Sequence, residues 1–255
     1  MEKKKITIIG AGMMGSALAF PAAENGHEVH IVGTCLDDKI IDGYLATGKH
    51  EKFCRPFPEN VNYHYFKDWK TVVEGSDFVI GGVSSFGVDW FLEEILIQLD
   101  PEMPVLSVTK GLRATDDGSL LSYPGYWMSE LAKRGIHRDI CAVGGPCTSY
   151  ELVFKDPTEV AFCGWDNEVL RMMKQAMQRP YYHISLTNDV IGLESAVALK
   201  NAYAMAVTLA VGLNIRWHGE EEVQHFNSQA GTFTQAVRET HALMLLQGGE
   251  FESEC

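Results

Sequence analysis

A glycine run near the N-terminus constrains the fold of this chain more than any other part of its sequence. The β-branched stretch Ile6-Thr7-Ile8-Ile9 leads directly into Gly10-Ala11-Gly12-Met13-Met14-Gly15. A helix-forming segment follows and stops at Gly26, before another apolar stretch. This order predicts a βαβ unit. Its predicted elements are a strand at Lys5–Gly10, a helix at Met13–Asn25 and a strand at His27–Gly33.

The alternation of short apolar segments with helical periods continues to about residue 187. The further predicted strands are Val61–Phe66, Asp77–Val83, Pro104–Thr109, Ile140–Gly144, Thr158–Cys163 and Tyr181–Ser185. The further predicted helices are Leu36–Ala46, Asp68–Glu74, Val88–Leu99, Tyr126–Arg134 and Glu168–Gln178, with a loop at Gly48–Glu59. Because the interior strands are apolar throughout, we predict an α/β fold with a Rossmann-like, doubly wound and mostly parallel sheet.

The pattern changes after Asp189. Two long helical segments, Gly192–Asn214 and Val223–Leu246, follow each other with no strand between them. We therefore predict a short all-α C-terminal domain at 188–255, after a dinucleotide-binding domain at 1–187.

The glycines spell G-x-G-x-x-G directly after a strand and at the start of a helix, which is the context typical of dinucleotide binding. Gly10 permits the tight turn, Gly12 lets the backbone approach a pyrophosphate, and Gly15 lets the helix pack on the strand. Met13 and Met14 lie at the helix N-terminus, which faces the negative charge. The sequence therefore predicts that Gly10–Gly15 bind a dinucleotide.

The choice between NAD and NADP stays open. Gly33-Thr34-Cys35 stands where an acidic residue usually binds the ribose of NAD. Asp37 and Asp38 follow, and either could reach a ribose hydroxyl. The interpretation that we favour is a charge or cap at the N-terminus of the next helix. No arginine nearby favours a 2′-phosphate.

A second glycine cluster, Gly81-Gly82-Val83-Ser84-Ser85-Phe86, follows a predicted strand. Open α/β sheets bind their ligands at the carboxyl ends of strands. We therefore expect Ser84 and Phe86 to border the cofactor. For Phe86, packing on a cofactor ring and burial in the core are equally good interpretations.

Two lysines stand among apolar residues. Lys110 closes an apolar strand before Gly111, and Lys200 interrupts the apolar helical segment Ala196–Ala204. Apolar surroundings favour the neutral form of a lysine, which can then exchange a proton near neutral pH. The alternative for Lys200 is a side chain that extends along a half-exposed helix to solvent, and spacing alone favours this alternative.

Four blocks of the sequence carry a resemblance to a known family. They are Gly10–Gly15, Thr109-Lys110-Gly111, Gly145-Pro146 with Glu151, and the segment from Asp189 to Leu199-Lys200-Asn201. In this order and at these spacings the chain resembles the NAD(P)-dependent sn-glycerol-3-phosphate dehydrogenases, and the resemblance spans almost the whole chain.

The resemblance implies hydride transfer between the nicotinamide C4 and the C2 carbon of glycerol 3-phosphate or dihydroxyacetone phosphate. It implies that Lys200 is the acid/base at the C2 hydroxyl. Lys110 would bind substrate, hold the oxygen that carries charge in the transition state and border the cofactor. Asn201 would orient the substrate. Gly145 and Ser149 would border the cofactor.

Composition restricts the partners. Lys and Arg number 21 against 34 Asp and Glu, a net charge of −13, which argues against nucleic acid as a partner. The six cysteines form no Cys-x-x-Cys pair, so we predict neither disulfides nor a metal site, and a reducing, cytoplasmic location. No segment holds the roughly 18 unbroken apolar residues of a membrane span. The nine histidines form no pair at helical ligand spacing, and we expect them at the surface or satisfied in the core.

One departure from the family leaves alternatives open. In the family a later segment with an Arg-Asn pair binds the substrate and its phosphate, whereas this sequence ends at Gly248–Cys255. Arg216, Arg238 and Lys110 are candidates for a phosphate anchor inside the chain. The alternatives are another reductase of the same broad superfamily, or a dinucleotide-binding protein without catalysis. Apolar helices without their usual cover would favour a homodimer.

Overall fold

A computed structural model describes residues 2–116, 118–219 and 226–250 of the chain. The chain forms two compact units. The first comprises residues 1–110 and 123–190, and the second comprises residues 111–122 and 191–255. The division into domains 1–187 and 188–255 stays a prediction about independently folding parts.

One eight-stranded sheet organises the first unit. Its strands are β1 Lys5–Ile9, β2 Glu28–Val32, β3 Val61–His64, β4 Phe78–Gly81, β5 Val105–Ser107, β8 Ile140–Gly144, β9 Thr158–Cys163 and β10 Tyr182–Thr187. Strands β6 Leu112–Ala114 and β7 Leu120–Ser122 belong to the second unit. Their order across the sheet is β10-β9-β8-β5-β4-β1-β2-β3. All neighbours run parallel except β8 and β9, which run antiparallel. The predicted Rossmann-like, mostly parallel sheet is confirmed.

Helices cover both faces of this sheet. They are α1 Met13–Glu24, α2 Asp38–Thr47, α3 Trp69–Val73, α4 Val88–Phe91, α5 Tyr123–Ala132, α6 Ser149–Phe154 and α7 Asn167–Met177. Alternate residues of β1 enter different apolar clusters: Ile6 and Ile8 pack in one cluster, and Ile9 packs in the other. Because successive side chains of a strand point to opposite faces, this division is the physical basis of the doubly wound arrangement.

The second unit contains the antiparallel hairpin of β6 and β7 and two long helices, α8 Val190–His218 and α9 Asn227–Leu246. The predicted helix Val223–Leu246 begins in residues 220–225, which lie outside the described residues. By length and composition alone α8 could cross a membrane, since one 18-residue window has a mean hydropathy of 1.5. A core helix of a larger assembly has the same composition, so the expected lack of a membrane span stays a prediction.

Three local features differ from the sequence prediction. The helix predicted at Val88–Leu99 is helical only to Phe91 and then forms a π-helical turn at Leu92–Leu96. Helix α6 was missed because six residues are too few to show a period, although Thr148 caps it by accepting a hydrogen bond from Glu151 N. The hairpin was missed because its three-residue strands are too short to alternate clearly.

Buried histidines are the titratable feature of this fold. His27 and His50 are each 1% exposed, and His27 Nδ1 accepts a hydrogen bond from Lys4 N at 3.2 Å. His64 pairs with His30 across β2 and β3, with 2.9 Å between His64 Nε2 and His30 Nδ1. Burial lowers the pKa of His27, His50 and His64 from the ordinary value of 6.5. These groups therefore resist protonation only in the folded state.

We expect the free energy of unfolding to fall as the pH is lowered from about 7.5 to about 5.5. In this window the unfolded chain takes up protons on these histidines, whereas the folded chain does not, so protons favour unfolding. Denaturant unfolding at a series of pH values measures this dependence. The substitution His27→Gln should flatten it in part, and a stability that rises towards low pH in the native sequence would contradict the assignment.

Candidate dinucleotide-binding site

A cleft of about 510 Å³ lies at the carboxyl ends of β1, β2, β4 and β5. Strand β1 pairs with β2 on one side and β4 on the other, so the chain switches sides of the sheet at this point. Such a switch point is where open α/β sheets bind ligands. The cleft is lined by Gly10, Gly12, Met13, Met14, Thr34, Cys35, Leu36, Asp37, Gly82, Val83, Ser84, Ser85, Phe86, Gly87, Trp90, Val108, Thr109 and Lys110.

The three motif glycines have different spatial constraints. Gly10 has φ +112°, and a Cβ there would lie 2.6 Å from Gly82 O. A Cβ on Gly15 would lie 2.3 Å from Gly10 O. A Cβ on Gly12 would meet nothing within 4 Å. Gly10 and Gly15 are thus required by the packing of the backbone, whereas Gly12 leaves open space beside the cleft.

The N-terminus of α1 supplies positive potential to this open space. The helix begins at Met13, and no side chain caps it at Gly12. The first N–H groups of a helix have no partner within the helix, and the helix dipole adds to their partial charge. Gly12, Met13 and Met14 all line the cleft. This arrangement fits the pyrophosphate of a dinucleotide.

Asp37 connects the segment after β2 to the glycine loop. Its Oδ2 accepts hydrogen bonds from Thr34 N at 2.8 Å, Thr34 Oγ1 at 2.9 Å and Ala11 N at 3.1 Å. Asp37 holds the N-cap position of α2 but makes no capping hydrogen bond with its side chain, so the predicted cap is wrong in its contacts. Asp38 lies in the first turn of α2, as the charge interpretation predicted.

Aromatic side chains border the cleft after β4. Phe86 is 97% exposed, so the interpretation as a core residue is wrong. Its ring lines the cleft together with Ser84 and is accessible to a planar ligand. Trp90 also lines the cleft and packs against Phe66, with ring centroids 5.0 Å apart. The sequence analysis did not identify Trp90. Its position four residues after Phe86, where helical residues share a face, could have indicated it.

Lys110 lies at the meeting point of two cavities. It is half-buried, lines the large cleft, and also lines a cavity of about 20 Å³ together with Met14, Gly144 and Cys147. Gly145 and Ser149 line neither cavity. Their contact with a cofactor therefore stays a prediction, and Cys147 is the residue of their loop that the structure brings beside Lys110 and Met14.

The remaining predicted residues belong to the second unit. Lys200 is half-buried and lines a mostly apolar groove of about 400 Å³ between α8 and α9, together with Tyr203, His241 and Met244. Asn201 is exposed and does not line this groove. Lys200 thus has the apolar surroundings that the sequence indicated.

Comparisons with known proteins agree with this geometry. Residues 5–170 match a family model described as the NAD-dependent glycerol-3-phosphate dehydrogenase N-terminus. The NADP(+)-dependent glycerol-3-phosphate dehydrogenase of Archaeoglobus fulgidus is 30% identical, over 97% of this chain and 71% of that protein.

Solved structures show the same fold. The glycerol-3-phosphate dehydrogenase of Coxiella burnetii matches with a TM-score of 0.81 at 22% identity, over 98% of this chain and 71% of that one. The yeast enzyme matches with a TM-score of 0.79 at 18% identity, over 99% and 73% of the two chains. The family-model match and the archaeal relative confirm the resemblance seen in the sequence: the chain belongs to the NAD(P)-dependent glycerol-3-phosphate dehydrogenase family.

Proposed function

We propose that this protein is an oxidoreductase that transfers a hydride between NAD(P)H and dihydroxyacetone phosphate, or in reverse from sn-glycerol 3-phosphate. The observation that carries the proposal is the uncapped N-terminus of α1 beside the open side of Gly12, at the switch point of the sheet. Family membership identifies the substrate class, and the name of the archaeal relative states the same reaction type.

Different residues of the cleft would bind different parts of the cofactor. The backbone N–H groups of Gly12, Met13 and Met14 would bind the pyrophosphate, and Gly10 and Gly15 keep that backbone in place. Ser84 and Phe86 would border the rings of the cofactor, and Gly145 and Ser149 would approach it from the loop after β8. The nicotinamide supplies or accepts the hydride when bound.

We propose that the site accepts both NAD and NADP. Gly33 stands where an acidic residue usually binds the ribose of NAD, and a Cβ there would be in tight contact with Asp37 Cβ and Ile41 Cδ1, each at 3.1 Å. Asp37 already accepts three hydrogen bonds within the protein. Asp37 lines the cleft, but its Oδ2 is engaged within the protein and is not available to a ribose hydroxyl. The archaeal relative is named as NADP-dependent, and the Clostridium botulinum relative is named for NAD(P).

Two lysines would carry the chemistry. Lys200 would remove the C2 hydroxyl proton in oxidation and return it in reduction, and it lines the mostly apolar groove between α8 and α9. Lys110 would bind substrate and stabilise the charged oxygen, since it follows β5 and lines the cleft. Asn201 would orient the substrate from the next position on α8.

The proposal also covers the binding partners, the cellular location and the oligomeric state. We propose a small phosphorylated substrate, no nucleic-acid partner, no membrane span and a cytoplasmic location. We also propose a homodimer, because Leu209, Phe233 and Leu246 are 62%, 60% and 82% exposed on α8 and α9. Relatives differ in location, since the rice enzyme with 26% identity is named as chloroplastic.

A side chain at Gly12 should block the cofactor without disturbing the fold. We expect Gly12→Val to weaken NADPH binding by at least about tenfold, because its side chain occupies the space that the pyrophosphate needs. Titration of NADPH fluorescence measures the affinity, and thermal unfolding checks the fold. The matched control is Gly43→Val on α2, where a Cβ also meets nothing within 4 Å. Equal NADPH affinity in Gly12→Val and the native chain would show that the cofactor does not bind in this cleft.

Removal of the Lys200 amine should slow turnover and leave cofactor affinity unchanged. We expect Lys200→Ala to lower kcat with dihydroxyacetone phosphate by about a hundredfold or more while the NADPH Kd stays within about twofold. NADPH absorbance follows turnover. Lys174→Ala, at a half-buried lysine on α7, is the control and should retain activity. Cofactor binding without turnover in the native chain would instead favour the dinucleotide-binding protein without catalysis.

A further inference from the structure

We propose that His50 is a positioning residue for the dinucleotide-binding loop, acting through a hydrogen bond to the Ala11 carbonyl that directs the Gly12 N–H into the cleft. The inference rests on the proposed dinucleotide binding and deepens it. His50 lies in the segment between α2 and β3, predicted only as a loop, and does not line the cleft. It would act on the cofactor only through the backbone of the glycine loop.

Side chains from three segments hold the single residue Ala11. Its carbonyl accepts hydrogen bonds from Ser16 Oγ at 3.0 Å and His50 Nε2 at 3.3 Å. Its N–H donates to Asp37 Oδ2 at 3.1 Å. Ala11 is fully buried, so water does not compete for these groups. The side-chain contacts therefore determine the orientation of this part of the loop.

Planarity of the peptide bond transmits this orientation to the cofactor side. The Ala11 carbonyl and the Gly12 N–H belong to one trans peptide, so they point in opposite directions. A carbonyl held towards the buried His50 directs the Gly12 N–H to the other side, and Gly12 lines the cleft. Loss of the His50 contact would let this peptide rotate. The Gly12 N–H would then no longer be directed at the pyrophosphate.

The hydrogen bonds of the imidazole define its tautomer. His50 Nδ1 accepts from Lys52 N at 3.2 Å, so in the neutral ring the proton is on Nε2, which donates to Ala11. The ring is 1% exposed and packs against Phe53, with ring centroids 4.6 Å apart. A second proton on Nδ1 would remove the acceptor of the Lys52 N–H.

The charges around His50 give the direction of the pH effect. Burial lowers its pKa, with Lys52 acting in the same direction, while the Ala11 hydrogen bond, Glu51 and Asp37 act in the opposite direction. The net shift is downward, so the neutral, correctly oriented ring predominates at neutral pH. Affinity for the dinucleotide should therefore be constant at neutral pH and above, and fall only below the ordinary imidazole pKa of 6.5.

Binding of ADP-ribose tests the proposal without turnover, because this probe carries the adenosine and pyrophosphate but no reacting ring, and its pyrophosphate does not titrate near neutral pH. Calorimetry at pH 5 to 8.5 compares the native chain with three variants. We expect His50→Leu to raise the Kd by about tenfold at pH 7.5, as for loss of one buried hydrogen bond. His50→Gln, which keeps an N–H donor of similar reach, should stay within about threefold and lose the acid-side weakening. His50→Asn, whose amide is shorter, should bind as weakly as His50→Leu.

The control is His27→Gln, which removes an equally buried histidine that contacts Lys4 N away from the cleft. It should change stability with pH but leave the ADP-ribose Kd unchanged. If His50→Leu does not fold, the comparison of His50→Gln with His50→Asn gives the same decision. Native-like affinity and pH dependence in both Asn and Leu variants would overturn the positioning role. A native chain that binds neither ADP-ribose nor NADPH would instead overturn the proposed dinucleotide site itself.

Discussion

Close backbone contact between the end of β1 and the ends of its neighbours β4 and β2 is the constraint on which the site depends. Gly82 N donates to Ile9 O at 2.7 Å, and Gly10 N donates to Val32 O at 2.7 Å. These bonds bring the glycine loop so close to Gly82 that a Cβ on Gly10 would overlap its carbonyl. The turn can therefore start α1 directly above the sheet, and the cleft opens at the helix N-terminus.

The backbone at the N-terminus of α1 contributes positive potential to this cleft. The chain carries a net charge of −13, and a dinucleotide is an anion. Clustered lysines are not needed when N–H groups at a helix N-terminus point at the ligand, because their partial charges act at hydrogen-bond distance and cost no side-chain entropy. Lys110 adds one cation at the edge of the cleft. An acidic protein can thus bind an anionic cofactor through local geometry.

Much of the fold could be predicted because the buried strands and the glycine motif are local signals. Strands β8 and β9 have the predicted bounds, since each is a compact apolar run. Helix α6 and the hairpin of β6 and β7 could not be predicted, because they are too short to show a period. Phe86 shows the same limit within the site: its sequence neighbours are compatible with burial or exposure, and only the packing after β4 leaves it in the cleft.

The sequence by itself determined the βαβ start, the parallel sheet, the glycine turn and the family, because strand hydrophobicity, helix period and glycine spacing are properties of neighbouring residues. Only the tertiary structure decided that Asp37 serves the glycine loop and that His50 reaches the Ala11 carbonyl, from 26 and 39 residues away along the chain. No local pattern encodes such contacts, since they form only when the sheet brings distant segments to one edge.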